Sequence, residues 1–160
     1  MDLKPFQLHP AAVHFPIALL AAGLAVAGVR LRKSAPEWLS RAQSWLLWLG
    51  TLSAWASLGL GLLAESTAPH KPLAWEVLAD HETLAWWTCG AFTVLSGLRF
   101  YVIRQGRNSG RWRLGEFLFW LAAFVLLAAT AQHGGELVYK YGMGVLADEH
   151  GALEFLGILT

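Results

Sequence analysis

The sequence predicts an all-α integral membrane protein: a four-helix bundle with both termini on the outer side and a short amphipathic helix at the C-terminal end. Three observations carry this. Hydrophobic residues make up 56% of the 160 residues and charged residues only 14%, with mean hydropathy +0.44. A soluble domain covers its surface with about 25% charge. Four apolar runs of roughly twenty residues alternate with polar connectors. Nine tryptophans fit a chain whose indole rings settle at the lipid–water boundary.

The first run, 10–31, gives roughly 33 Å of helix, enough to cross a ~30 Å hydrocarbon core. It opens in LHPAAVHFPIALL. Pro10 suits the first helical position, which leaves His9 just outside as an interfacial residue. Pro16 falls inside the helix and is expected to kink it, freeing a backbone carbonyl near Ala12. The second run is 44–64, the third 83–103 and the fourth 114–133. Connectors such as RKSAPEW (32–38) and RQGRNSGRW (104–112) carry helix breakers. The chain reads as a single membrane domain with an outer tail over 134–160. Its last stretch, VLADEHGALEFLGILT, is expected to form the amphipathic helix lying at the outer surface. No internal repeat is evident.

Orientation follows from the basic residues. Arg30, Arg32, Lys33 and Arg41 flank the first connector, and Arg99, Arg104, Arg107, Arg111 and Arg113 the third. Only Lys4, Lys71 and Lys140 remain for the other face. The positive-inside rule then puts both basic connectors in the cytoplasm of a bacterial inner membrane, with N-out/C-out topology. The first run is too long for a signal-peptide core and is followed by basic residues, so no cleaved leader is expected. Gly23 with Ala27, Gly90 with Gly97, and Gly59 with Gly61 are expected packing positions where helices approach closely.

On this topology all six histidines lie outside: His9 and His14 on the first helix, His70 in the outer loop, His81 opening the third helix, His133 ending the fourth, and His150 in the tail. His14, His81 and His133 fall at one depth on three helices. A histidine inside a membrane binds a metal, finds a polar partner or points to the interface; three at one depth make these the candidate cofactor ligands. His9 and His14 are five residues apart, ~140° around a helix, and cannot share a face. In an up-down bundle the first and third helices are diagonal, and the wider span suits a haem. His14 and His81 are therefore the expected axial pair for a b-type haem, with His133 an alternative ligand or a hydrogen-bonding neighbour. For copper or zinc the same three would form a His₃ cluster, with His9 as a fourth.

Other chemistries lack their residues. Cys89 is the lone cysteine, and CxxCH is absent, so neither an intramolecular disulfide nor a covalently attached c-type haem is expected. No GxSxG, HExxH or phosphate loop appears, no catalytic residue is assigned, and no nucleic-acid partner is expected. The middle of each span holds no acid or lysine for a proton relay; Glu116 and Arg99 sit near the ends. Ser53, Ser57, Thr88, Thr93 and Ser96 read as helix-packing residues.

The opening HPAAVHFPIALL and the closing QHGGELVYKYG resemble a bacterial family of four-span membrane proteins known as domain of unknown function 2231. The resemblance covers nearly the whole chain and falls on His9, Pro10, His14, Phe15, Pro16, His81, His133, Gly134, Gly135 and Tyr139. It implies the four-span fold and a respiratory setting, since some relatives look to be joined to c-type cytochrome domains. The expected function is a cytochrome-like subunit passing electrons from quinol to a periplasmic carrier. Its expected partners are the lipid membrane, a quinone, and a periplasmic c-type cytochrome or respiratory complex. Two readings compete: a non-haem metal protein holding copper, zinc or iron, and a cofactor-free anchor or assembly subunit.

Overall fold

A computed structural model describes residues 5–67, 72–107 and 109–143. The chain is all-helical over those residues: α1 (Pro5–Ala12), α2 (His14–Val29), α3 (Trp38–Thr67), α4 (Trp75–Arg104) and α5 (Gly110–Tyr139), with one 3₁₀ turn at Pro72–Ala74. The tail helix expected over 145–160, together with His70 and His150, lies outside the described residues.

α1 and α2 form the first arm of a four-helix bundle. Each arm packs on its sequence neighbours, and α5 also closes on α2. The first arm and α4 are therefore diagonal, as the up-down order requires. The arm begins at Pro5, earlier than the sequence reading placed it, so Pro10 is inside α1 and His9 is helical. Both prolines suit a first helical position, and the earlier one takes it. Pro16 has no N–H to donate to Ala12, and the helix is interrupted at Val13, although Val13 N–H reaches His9 O (3.1 Å) and Ile17 N–H reaches Val13 O (3.4 Å).

Three helical stretches, Leu8–Val29, Trp38–Ser66 and Gly110–Tyr139, are long and apolar enough to cross a membrane. α4 matches α3 and α5 at 30 residues. It is less apolar because Glu76, Asp80, His81 and Glu82 crowd its start and Arg99 lies near its end.

The core is built from size complementarity. Leu20, Leu47, Phe92 and Trp120 are fully enclosed. A Cβ on Gly23 would lie 2.3 Å from the Trp120 ring, and one on Gly50 would lie 2.6 Å from Leu20, so both glycines make room for a neighbour's side chain. Trp120 Nε1 donates to Leu20 O at 3.1 Å, joining α5 to α2. Gly59, Gly90 and Gly97 do not serve close packing; a Cβ on any of them would meet nothing. Outward surfaces carry Trp38, Trp45, Trp87, Leu52 and Val125, all exposed.

The two ends of the bundle differ. At the end holding the α2–α3 and α4–α5 turns, Arg30, Gln43, Ser44, Arg99 and Glu116 are buried together. Arg30 donates to Gln43, and Arg99 pairs with Glu116 at 3.1 Å. This arginine end ties all four arms with charge. The opposite end carries His9, His14, His81 and His133 and encloses a cavity.

The buried positions also recur. Pro16, Leu20, Gly23, Ala27 and Arg30 correspond, 72 residues later, to Thr88, Phe92, Leu95, Arg99 and Val102. Gln43, Leu47, Gly50 and Ala54 correspond, 73 residues later, to Glu116, Trp120, Ala123 and Leu127. The two helical hairpins thus share these buried positions, although Ser44, Thr51, Leu58 and Cys89 are buried where their counterparts Phe117, Phe124, Ala131 and Ile17 are not. The repeat escapes the sequence because matched positions differ in residue type, as Gly23 against Leu95 and Leu47 against Trp120 illustrate.

Candidate cofactor site

The histidine end holds a cavity of about 420 Å³, within the range of pockets that bury small ligands or cofactors. Its wall is mostly aliphatic, with Ile17, Leu58, Leu78 and Leu127 among the contributors. Both stretches that carry the family resemblance line it: His9, Pro10, His14 and Pro16 from the first, Gly134, Gly135 and Tyr139 from the second, with His81 between them.

His9 projects from α1 into the bundle, and its Nδ1 lies 2.9 Å from Ser57 O on α3. A carbonyl only accepts, so the Nδ1 carries the proton and the Nε2 keeps a free lone pair. His81, on α4, repeats the arrangement with Thr130 O of α5, also at 2.9 Å. Neither Nε2 bonds to a described residue. The two rings meet in a T-shaped arrangement across the diagonal, with centroids 6.3 Å apart and planes at 80°. A glycine backs each ring. A Cβ on Gly61 would stand 3.0 Å from His9 Cε1, and one on Gly134 3.0 Å from His81 Cε1. A side chain at either position would make the imidazole give way by a few tenths of an ångström or more.

The remaining candidates sit differently. His14 is exposed at the start of α2, on the cavity's mouth. The structure brings His9, not His14, to His81; starting α1 at Pro5 turns His9 inward, and the ~140° between them turns His14 out. His133 is half-buried, its Nδ1 donating to Ala129 O one turn back in its own helix. Among the described residues no group of three or more His, Cys, Asp or Glu side chains is placed to hold a metal ion, so the four histidines are not gathered as one cluster.

Three further residues shape the cavity: the sequence marks Ser57 and Gly61 only as packing positions and gives no sign of Thr130. Ser57, Gly61 and Thr130 are a carbonyl, a gap and a carbonyl, properties of backbone that residue type does not announce. Ser57 is buried and its Oγ makes no hydrogen bond to a described residue. Its counterpart Thr130 donates to Leu126 O and pairs with Thr88 Oγ1. The counterpart of Thr88 is Pro16, which has no hydroxyl to offer. Cys89 is buried beside Ala54, Leu58 and Ala85. In the last turn of α5 the Glu136 carboxylate accepts at 2.7 Å from Lys140, just past the helix, and holds that ammonium above its usual range.

No curated protein and no solved structure matches the chain at a significant level. A family model described as Predicted membrane protein (DUF2231) matches residues 5–147, which takes in all five helices and every residue of the cavity. The chain belongs to that family of membrane proteins.

Proposed function

We propose that the protein is a membrane-embedded, b-type cytochrome-like electron-transfer subunit of the bacterial inner membrane. In this reading the histidine end faces the periplasm and the arginine end the cytoplasm, as the basic residues favour. The observation that carries the reading is the cavity. It is apolar, and the imidazole Nε2 atoms of two diagonal helices are left without hydrogen bonds inside it. The orphaned Ser57 hydroxyl in the same wall also calls for a partner that the described residues do not provide.

The donor set favours haem over a bare ion. A haem brings four porphyrin nitrogens to its iron and would need only one or two side-chain ligands from the protein, which histidines of this wall could supply. Zinc or copper asks for three or four protein donors, and no such group is assembled among the described residues. When bound, a haem would supply a one-electron centre between a membrane quinol and a periplasmic carrier. The protein's part is to orient the imidazoles, exclude water with aliphatic side chains, and hold the bundle rigid from the arginine end. The test is the absorption spectrum of the purified, dithionite-reduced protein: the account expects the α and β bands of a low-spin b haem. A folded but colourless preparation from haem-replete cells would overturn it and leave the metal or anchor readings to elemental analysis.

A further inference from the structure

We infer that His9 and His81, rather than His14 or His133, are the axial ligands, and that two copies of one backbone clamp aim them. The inference rests on the haem reading above and deepens it. Each clamp takes an imidazole from the first arm of a hairpin and fixes its Nδ1 on a carbonyl of the second arm. A glycine four residues further along that arm makes room for the ring. In the first hairpin the parts are His9, Ser57 O and Gly61; in the second they are His81, Thr130 O and Gly134. The offsets from one clamp to the other are 72, 73 and 73 residues, those that relate the buried positions of the two hairpins. The two histidines are thus equivalent positions of an internal repeat, and the space between them lies at the junction of its halves.

The centroid separation is that expected of two imidazoles sharing one ion. An imidazole–metal bond of about 2.0 Å, with about 1.2 Å more to the ring centre, places two axial rings about 6.4 Å apart. The observed separation is 6.3 Å. Pinning Nδ1 on a carbonyl is what a ligating histidine needs, because it sets the tautomer and presents Nε2. Ser57, Gly61, Thr130 and Gly134 are accordingly positioning residues. The repeat also explains why a site between the two hairpins, at the histidine end, uses one histidine from each.

The experiment uses the full chain purified in detergent. His9→Ala and His81→Ala should each lose the low-spin bands, and added imidazole should restore them in either variant. His14→Ala and His133→Ala should keep them. Gly61→Ala and Gly134→Ala should shift the midpoint potential or weaken haem retention, while Gly90→Ala, whose Cβ meets nothing, should match the parent. Retention of low-spin bands in His9→Ala with their loss in His14→Ala or His133→Ala would overturn the pairing and leave the haem reading standing. A colourless parent protein would instead sink the haem reading. The clamps are then judged by ¹⁵N-histidine spectra of the haem-free protein. Protonation of both His9 and His81 on Nδ1 supports the clamps, and protonation of either on Nε2 overturns them.

Discussion

Replacing Glu116 by alanine should cost about 3–5 kcal/mol, the range for removing one partner of a buried ion pair. The estimate rests on burial. Glu116 and Arg99 are each 2% exposed, and Arg99 Nη1 reaches both carboxylate oxygens, at 3.1 and 3.3 Å. Arg30 Nη1 lies 3.8 Å from the same carboxylate. The rest of the Arg99 fork is held by Ser44 Oγ and by the carbonyl and hydroxyl of Ser40. Alanine therefore leaves the buried Arg99 guanidinium without its carboxylate, and it cannot swing to water without breaking those bonds. Glu116→Gln keeps an acceptor and loses only the charge, so it should fall between the parent and alanine. The double change Arg99→Met with Glu116→Leu should recover much of the loss, since an apolar pair of similar volume removes the stranded charge. Reversible unfolding in mixed micelles, followed by circular dichroism, reads all three. A cost below about 1 kcal/mol for Glu116→Ala is what an exposed pair gives, and it would refute a buried charge network at this end.

Two other expectations are simpler to check. Gly23→Val places new atoms where the Trp120 ring lies, 2.3 Å from a built Cβ; it should destabilise the bundle by about 1–3 kcal/mol or more, whereas Gly90→Val should be near neutral in the same unfolding assay. A periplasm-dependent reporter fused after Thr160 should be active and one inserted at Asn108 inactive; the opposite pattern would place the histidine end in the cytoplasm and remove the periplasmic carrier from the account.

Most of the architecture was legible because lipid imposes it: apolar runs of span length must be helices, and short connectors make them up-and-down neighbours. Pro16 likewise announces its break, since a missing N–H acts locally. The site was less legible. Pro10 as the helix start puts His9 outside the bundle, whereas the helix begins at Pro5, and about one helical turn decides which of two histidines faces in. The roles of Ser57 and Thr130 come from their carbonyls, and that of Gly61 from an absent side chain, none of which depends on a chemically distinctive residue. Gly134 stood next to His133 in its motif, yet it serves His81 on another helix. At the far end, Glu116 and Arg99 looked like ordinary span-end charges. Their burial depends on partners 17 residues or more away in sequence, such as Ser40 and Ser44 on α3. The repeat of the hairpins is written in burial and size complementarity, and residue identity conceals it.

The most direct test of the central claim is the low-temperature electron paramagnetic resonance spectrum of the oxidised, purified protein. Two imidazoles on one ferric iron give a low-spin signal, and crossed ring planes make it strongly anisotropic. Planes at 80° therefore predict a highly anisotropic low-spin signal, lost in both His9→Ala and His81→Ala. A high-spin signal, a rhombic low-spin signal of parallel rings, or no ferric haem signal at all would contradict the account.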